Sequence, residues 1–469
     1  MNTKIMTVAA MLAAYACTVG AAAPQTDTVK LVHFQEKATA QAAMMTKAYK
    51  NQAQTNSQSV SITLPQSIAL ALQNNRTLHQ SQWDYEAAVA QVGGVTSGRN
   101  PSVYYTYKAD HTGSNGTSKT SNAFLHQLRL EVSLFNRVLD AQIEAAKYSR
   151  DGSGAALTEA AQTAKLTAAT NYLSLIMSRN KVNVAEQTVR DYEEHLKNAN
   201  LQYQVGIVSK SDVLATNTRL ANAKTALVEA KNAANLAEAK FNNHVGLPVS
   251  TPIVTADKEL SYAPYGISLE SAKSYGVAHR GAIVQAAMAV KAAEENVGLA
   301  DASDIPVVKA NASRRMNGAH WAGNDSKDWS VGATLSWNVW DGGQSKANVS
   351  AAKAKLEKAK EAYAQTIDTV ELQVQEAYLN LKAAEQKIKS THAAVEAGQE
   401  DFRIKTLRYR SGVGTNVDVL DAETALATAR NNYVDALYNY NLSMATLEKA
   451  MGISVEATVG SGAMIVNQG

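Results

Sequence analysis

The chain has 469 residues, 45 of them Lys or Arg and 42 Asp or Glu, for a net charge of +3. So balanced a chain carries no electrostatic footprint for nucleic acid, and a single cysteine excludes a disulfide scaffold and any cysteine-based zinc or iron–sulfur site. Seven prolines and 6% aromatics suit long helices packed through small side chains, and no apolar run of about 18 residues beyond the N-terminus leaves room for a multi-span helical membrane protein.

Lys4, the apolar run from Ile5 to Ala16 and the small residues before Pro24 read as a secretory signal peptide over 1–23. Cys17 offers a rival reading, an acylated lipoprotein, although Ala14-Tyr15-Ala16 fits the usual pattern ahead of such a cysteine poorly. Residues 24–57, with Lys30, Lys37 and Lys47, fit a helix, a tether or a disordered segment alike.

From there the sequence is written twice. Leu64-Pro65-Gln66-Ser67 meets Leu269-Glu270-Ser271-Ala272, and Asn100-Pro101-Ser102-Val103 meets Ile305-Pro306-Val307-Val308, both at an offset of 205. Tyr203-Gln204-Val205-Gly206 meets Tyr409-Arg410-Ser411-Gly412, and Asp212-Val213-Leu214 meets Asp418-Val419-Leu420, at an offset of 206. Matched prolines, glycines and aspartates imply duplication: a first repeat over 58–250, a second over 264–455, and a tail over 456–469.

Each repeat opens with a helix, near 66–98 and 268–302. A hairpin follows, then a very long helix, a glycine turn and a final helix. No proline stands between Pro101 and Pro248 or after Pro306, so nothing there forbids long helices. Val182, Ala185, Val189, Tyr192, Leu196, Ala199 and Tyr203 step by three and four, as do Leu220, Ala223, Leu227, Ala230 and, in the second repeat, Leu426, Ala429, Tyr433 and Ala436. This is a coiled-coil seam whose alanines allow close approach. Arg137 to Tyr203 extends on the order of 100 Å if helical throughout, with Gly152 and Gly154 as bending points.

The hairpin segments alternate at period two: Leu128, Leu130, Val132 and Leu134 against Gln127, Arg129, Glu131 and Ser133, and Val331, Ala333, Leu335, Trp337 and Val339 against polar neighbours. Their partners are 103–108 and 308–313, joined by polar loops over 111–122 and 317–328. Strands of about ten residues with one apolar face match outer-membrane barrel strands, with Trp329, Trp337, Trp340, Tyr104 and Tyr105 as an interfacial girdle. A small periplasmic sheet with one buried face gives the same pattern. Four strands cannot close a barrel, and open edges cannot sit in lipid, so a membrane reading requires several chains.

Leu407-Arg408-Tyr409-Arg410-Ser411-Gly412-Val413-Gly414-Thr415-Asn416-Val417-Asp418-Val419-Leu420-Asp421-Ala422 and Trp340-Asp341-Gly342-Gly343 resemble the turn and the strand-to-helix junction of the TolC-like outer-membrane efflux proteins. The resemblance covers about 58–455. It implies a mainly helical chain with a small β part: coiled-coil helices forming an α-barrel, and four strands per chain completing a 12-stranded β-barrel in a homotrimer. It further implies an outer-membrane duct extending into the periplasm, serving a tripartite efflux pump or type I secretion system. Its partners would be a periplasmic adaptor, an inner-membrane transporter and outer-membrane lipid.

By the same resemblance Asp418 and Asp421 match a gating and selectivity ring at the closed tunnel end. Spacing of three puts both carboxylates on one helix face, and three chains would gather six acids, raising some pKa values and attracting cations. An aspartate in a helix's first turn equally serves the macrodipole. Asp212 and Tyr409 match a latch pair for which capping and seam packing are equally good explanations. Where the family carries an arginine two residues after the tip glycine, this chain has Gly414, so Arg408 or Arg410 would have to substitute. Gly206, Val208, Gly412, Val413 and Thr415 would form the surface an adaptor hairpin meets.

Catalytic and metal motifs are missing from the sequence: no metal spacing among the nine histidines, no phosphate-cradling loop and no nucleophile elbow. The expectation is therefore a passive channel without cofactor, not an enzyme. The alternative is a soluble periplasmic coiled-coil adaptor or scaffold.

Overall fold

The computed structural model describes residues 60–114, 117–321 and 325–453; the signal peptide with Cys17, the segment 24–57 and the tail 456–469 lie outside the described residues. The first half runs β1 (Val60–Ile62), α1 (Leu64–Asn74), α2 (Arg76–Thr96), β2 (Ser102–Ser114), β3 (Thr117–Phe135), α3 (Arg137–Gln204) and α4 (Lys210–Val245). The second repeats that order with β4 (Ile253–Thr255), α5 (Leu269–His279), α6 (Gly281–Asp301), β5 (Val307–Gly318), β6 (Ser326–Ser336), α7 (Gln344–Arg410) and α8 (Asn416–Met451). The chain divides into a strand unit, Gln82–Ala156 with Val284–Thr366, and a helical unit comprising the remainder of the described chain.

In the strand unit the order is β2-β3-β5-β6, every pair antiparallel. The strands run further than expected: β2 continues to Ser114 and β3 starts at Thr117, through what the polarity of 111–122 marks as loop. Polar residues here pair across the ladder, His111 Nδ1 with Asn122 Oδ1 at 2.6 Å and Thr112 Oγ1 with Ser121 Oγ at 2.9 Å. A strand with water on both faces needs no hydrophobic alternation, which is why the period-two signal failed there.

Register separates the two faces. Val103↔Leu130 and Tyr105↔Leu128 stand on one side with Ala312↔Val331 and Val308↔Leu335. Tyr104↔Arg129, Glu131↔Asn311 and Lys309↔Thr334 stand on the other, where Glu131 is salt-bridged to Lys309 and Arg129, both at 2.8 Å. Three details of the expected strands and girdle are corrected. Tyr104 and Tyr105 are neighbours in one strand and so point to opposite faces; only Tyr105 is on the apolar side. The register shift between Ser133 and Phe135 makes Leu134 the extra residue of a bulge and brings Phe135 opposite Val308. Finally, β6 ends at Ser336, so Trp337, Val339 and Trp340 follow the strand. There the chain turns into α7 through Gly342 and Gly343, both at positive φ, while Asp341 accepts from the amides of Gly343 and Ser345.

α3 and α7 are 68 and 67 residues long, about 100 Å each at 1.5 Å per residue. Gly152 and Gly154 do not interrupt α3: a Cβ at Gly152 would meet Met288 at 3.5 Å and one at Gly154 the Tyr85 ring at 3.4 Å. They serve close packing.

In the helical unit the opening helix of each half is broken once, where the sequence periodicity predicted a single element. Asn75 and Arg280, related by the offset of 205, leave helical backbone at ψ 114 and 124. Asn75 Oδ1 then caps Leu78 N at 3.0 Å. The buried Arg280 guanidinium donates to Glu159, Gln373 and the carbonyls of Lys449 and Ala450, closing the end of α8. β1 and β4, too short to register as periodic segments, pair in parallel. The seam of small and branched residues is realised as a core of Val189 and Tyr192 (α3), Leu220 and Ala223 (α4) and Leu420 (α8), with Leu196 and Leu227 packed against it; each large member contributes roughly 1.5–3 kcal/mol by burial.

Candidate functional site: the two helical tips

Both helix-turn-helix tips are built alike. α3 and α7 end in left-handed glycines, Gly206 at φ 77 and Gly412 at φ 76. Ile207 N donates to Gln202 O at 2.9 Å and Gly206 N to Tyr203 O at 3.0 Å, and Val413 N and Gly412 N repeat this with Arg408 O and Tyr409 O. This bonding satisfies the last carbonyls of a helix when a residue without Cβ takes the αL position. The next helices start on capping boxes, Ser209 with Asp212 and Thr415 with Asp418.

Those boxes occupy two of the acids singled out by sequence. The Asp418 carboxylate accepts from Thr415 Oγ1 at 2.6 Å, and this bond, with the Thr415 amide, lowers its pKa below the ordinary value. Within one chain the cap therefore acts opposite to the raised values that crowding would give. Asp421 is 62% exposed, with Arg219 at 3.7 Å. The two aspartates share the exposed side of α8, whose Val419, Leu420 and Ala422 are buried.

The expected Asp212–Tyr409 hydrogen bond is absent. The Asp212 carboxylate accepts from Ser209 N and Oγ at 3.1 and 2.8 Å. Tyr409 is 2% exposed, its hydroxyl has no hydrogen-bond partner among the described residues, and burial, with the nearby Asp212 charge, raises its pKa. Its ring lies 4.8 Å from that of His195. Asn416 ties the tips together instead, a residue that sequence reasoning passed over. Its Oδ1 accepts from His195 Nε2 at 2.7 Å and Thr216 Oγ1 at 3.1 Å, while its Nδ2 donates to Asp212 O at 3.1 Å. Gln202 Nε2 donates to Tyr409 O at 3.1 Å, and Arg410 pairs with Glu194. The only advance signal was the departure from the repeat, since Asn416 stands where the first half has Lys210.

Gly414 is closed to larger residues: a Cβ would lie 2.9 Å from Tyr409 N. Solvent-facing apolar residues of the tips include Val205 (71%), Val413 (68%), Ile207 (62%) and Val417 (60%). Val208 is half-buried, and Thr415 is exposed and engaged in its cap.

One turn further along α8, Glu423 is 1% exposed, and among the described residues no group meets its carboxylate oxygens with hydrogen-bond geometry. Burial, then the charge of Asp191, push its pKa up to about 8, with Arg430 and the Thr188 hydroxyl beside it partly offsetting them. Asp191 is raised by the same burial and lies 3.7 Å from Arg430. Beside this cluster a groove of about 650 Å³ is lined by Asp191, Glu194, His195, Arg403, Arg410 and Arg430. Among the described residues no His, Cys, Asp or Glu cluster is placed to hold a metal, and no helix is long and apolar enough to cross a membrane.

Paired helices of about 100 Å with capped, mutually hydrogen-bonded tips, together with a sheet that is apolar on one face and charged on the other, define a channel subunit of the outer-membrane type. The family model for outer membrane efflux proteins matches residues 67–247 and 277–453, and the chain belongs to that family. It is 24% identical over 409 residues to the probable efflux pump outer membrane protein TtgC of Pseudomonas putida, covering 83% of this chain and 82% of that one. It is 24% identical to the outer membrane protein TolC of Escherichia coli, covering 81% and 80%. Among solved structures it is similar to the outer membrane protein VceC of Vibrio cholerae, with a TM-score of 0.73 at 18% identity over 84% of this chain and 97% of that one. The protein is an outer-membrane efflux channel, and the adaptor or scaffold reading falls away.

Proposed function

We propose that three copies of the chain form the exit duct of an efflux or secretion system, each half (58–250 and 264–455) being one copy of a duplicated unit. The carrying observation is the four-stranded sheet with its apolar and charged faces and with β2 and β6 unpaired at its edges. Unpaired strand edges are costly in hydrocarbon, and joining sheets edge to edge removes them: three sheets of four strands give twelve, with Arg129, Glu131 and Lys309 on the water-filled side. The helical unit also leaves Val228, Leu236, Leu372 and Leu379 exposed, as expected of surfaces that neighbouring copies cover. The duct is passive, and its energy comes from an inner-membrane transporter reached through a periplasmic adaptor. Val205, Ile207, Gly206, Gly412 and Val413 form the adaptor surface.

Asp418 and Asp421 ring the periplasmic constriction and favour cations. Purified channel tests both parts: native mass spectrometry should give three chains, and in planar bilayers Asp418→Ala with Asp421→Ala should lower cation-over-anion permeability. A monomeric mass refutes the shared barrel, and unchanged selectivity removes the aspartates from the ring.

A further inference from the structure

The apolar face of the sheet carries two cations that the channel reading does not use. Arg314 lies between Leu128 on β3 and Trp329 on β6, and Lys327 lies opposite Met316. Alternation along the strands puts Arg314, Met316, Trp329 and Lys327 on the same side as Leu130, Ala312, Val331 and Leu335. Arg314 and Lys327 are diagonal neighbours across the β5–β6 ladder, a separation of roughly 7–8 Å at Cβ, which two long side chains readily close onto one anion. Both are exposed, and neither has an ion pair or hydrogen bond among the described residues, in contrast to Arg129, Glu131 and Lys309 on the opposite face.

Height along the barrel sharpens the contrast. Arg314 is six residues beyond Val308 and Met316 eight, about 20 and 26 Å along a strand rising 3.3 Å per residue. On strands tilted by about 40° this becomes roughly 15 and 20 Å of height in an apolar band about 25 Å tall, at the end near the β5–β6 turn and away from the helices. A lipid-facing cation is most costly at the bilayer midplane and tolerated near the interface, above all when an anion meets it. Trp329 beside Arg314 and the exposed Trp321 are the residue type that settles at that interface. His126 braces the platform: it accepts from the Tyr105 hydroxyl at 2.8 Å and donates through Nε2 to Trp321 O at 2.9 Å.

We propose that Arg314 and Lys327 form a binding site on the outer wall of the barrel for a phosphorylated lipid headgroup of the outer leaflet. The planar guanidinium grips two phosphate oxygens and the ammonium a third, while Leu128 and Trp329 pack against the lipid chains. The proposal rests on the sheet being the membrane wall. Its test is native mass spectrometry of the detergent-purified full-length channel titrated with diphosphorylated lipid A, with its dephosphorylated counterpart and with inorganic phosphate.

The expected result is bound lipid A, weakened about tenfold or more by Arg314→Ser with Lys327→Ser, as loss of charge-assisted bonds predicts, and unaffected by Arg315→Ser on the opposite face. Equal binding of the dephosphorylated lipid, equal binding by the double variant, or capture of inorganic phosphate as tightly as lipid A would overturn the site. Fractionation separates this from the underlying reading. A double variant that stays in carbonate-washed outer membranes but binds lipid A normally sinks only the site, whereas wild-type protein that washes off sinks both.

Discussion

Glu423 gives the channel a pH dependence most of which one substitution should remove. With the carboxyl held at about 8 against an ordinary 4.5, the packed tip keeps a proton that the locally unpacked, solvated tip releases between those values. Stability of this packing is therefore full below 4.5 and is lost as pH rises towards 8. The difference corresponds to at most about 5 kcal/mol, of which about 3–4 kcal/mol falls between about pH 5 and pH 8. Asp191, raised by the same burial, acts with the same sign. Glu423→Gln keeps the shape and removes the titration. Hydrogen exchange of the amides from Asn416 to Arg430, with intrinsic rates divided out, should show protection in the parent falling on the order of several hundredfold over that range. The variant should keep only the shallower slope that Asp191 supplies and be better protected at the alkaline end. Equal pH slopes in the two proteins, or protection that grows with pH in the parent, would refute the reasoning.

Asn416→Ala leaves both ring nitrogens of buried His195 without a partner, since Nδ1 already has none; it should cost about 1–3 kcal/mol in local protection and raise the frequency of large-conductance openings in single-channel recordings. Gly414→Ala and Gly414→Arg should lower the thermal midpoint by similar amounts, because the first added carbon meets Tyr409 N at a cost of about 1–3 kcal/mol; an arginine that raises the midpoint would show that the turn opens to receive it. Arg280→Ala should destabilise the helical unit by about 3–5 kcal/mol in denaturant titrations. Arg280→Lys should recover only part of this, one ammonium being unable to span Glu159, Gln373 and two carbonyls.

Much of the architecture was legible because it repeats. The matched glycines and aspartates located both tips, and the three-four spacing located the seam around Val189, Tyr192 and Leu220. What periodicity does not carry was lost. The breaks at Asn75 and Arg280 come from side chains whose partners are distant, such as Lys449 and Ala450. The strand ends around His111 and Asn122 carry no apolar face, so polarity there was read as loop. At the tips, Asp212 and Asp418 were visible by motif, but their capping role competes with any other and is settled only by geometry. Asn416 and Glu423 were not visible at all, since a polar residue at a seam position looks the same on paper whether it ends up solvated or enclosed.

β2 and β3 together carry a consequence for the cell surface. At 19 residues β3 is about 60 Å long, about 46 Å of height at a tilt of about 40° and so nearly twice an apolar band of about 25 Å, and the surplus is braced by rungs such as His111–Asn122 and Thr112–Ser121. In the proposed barrel the exterior mouth is thus a braced collar carrying His111, Thr112, Ser121 and Asn122 clear of the headgroups. An antibody raised against this rim should recognise it only while the ladder is intact, and linear peptides copied from it should make poor antigens.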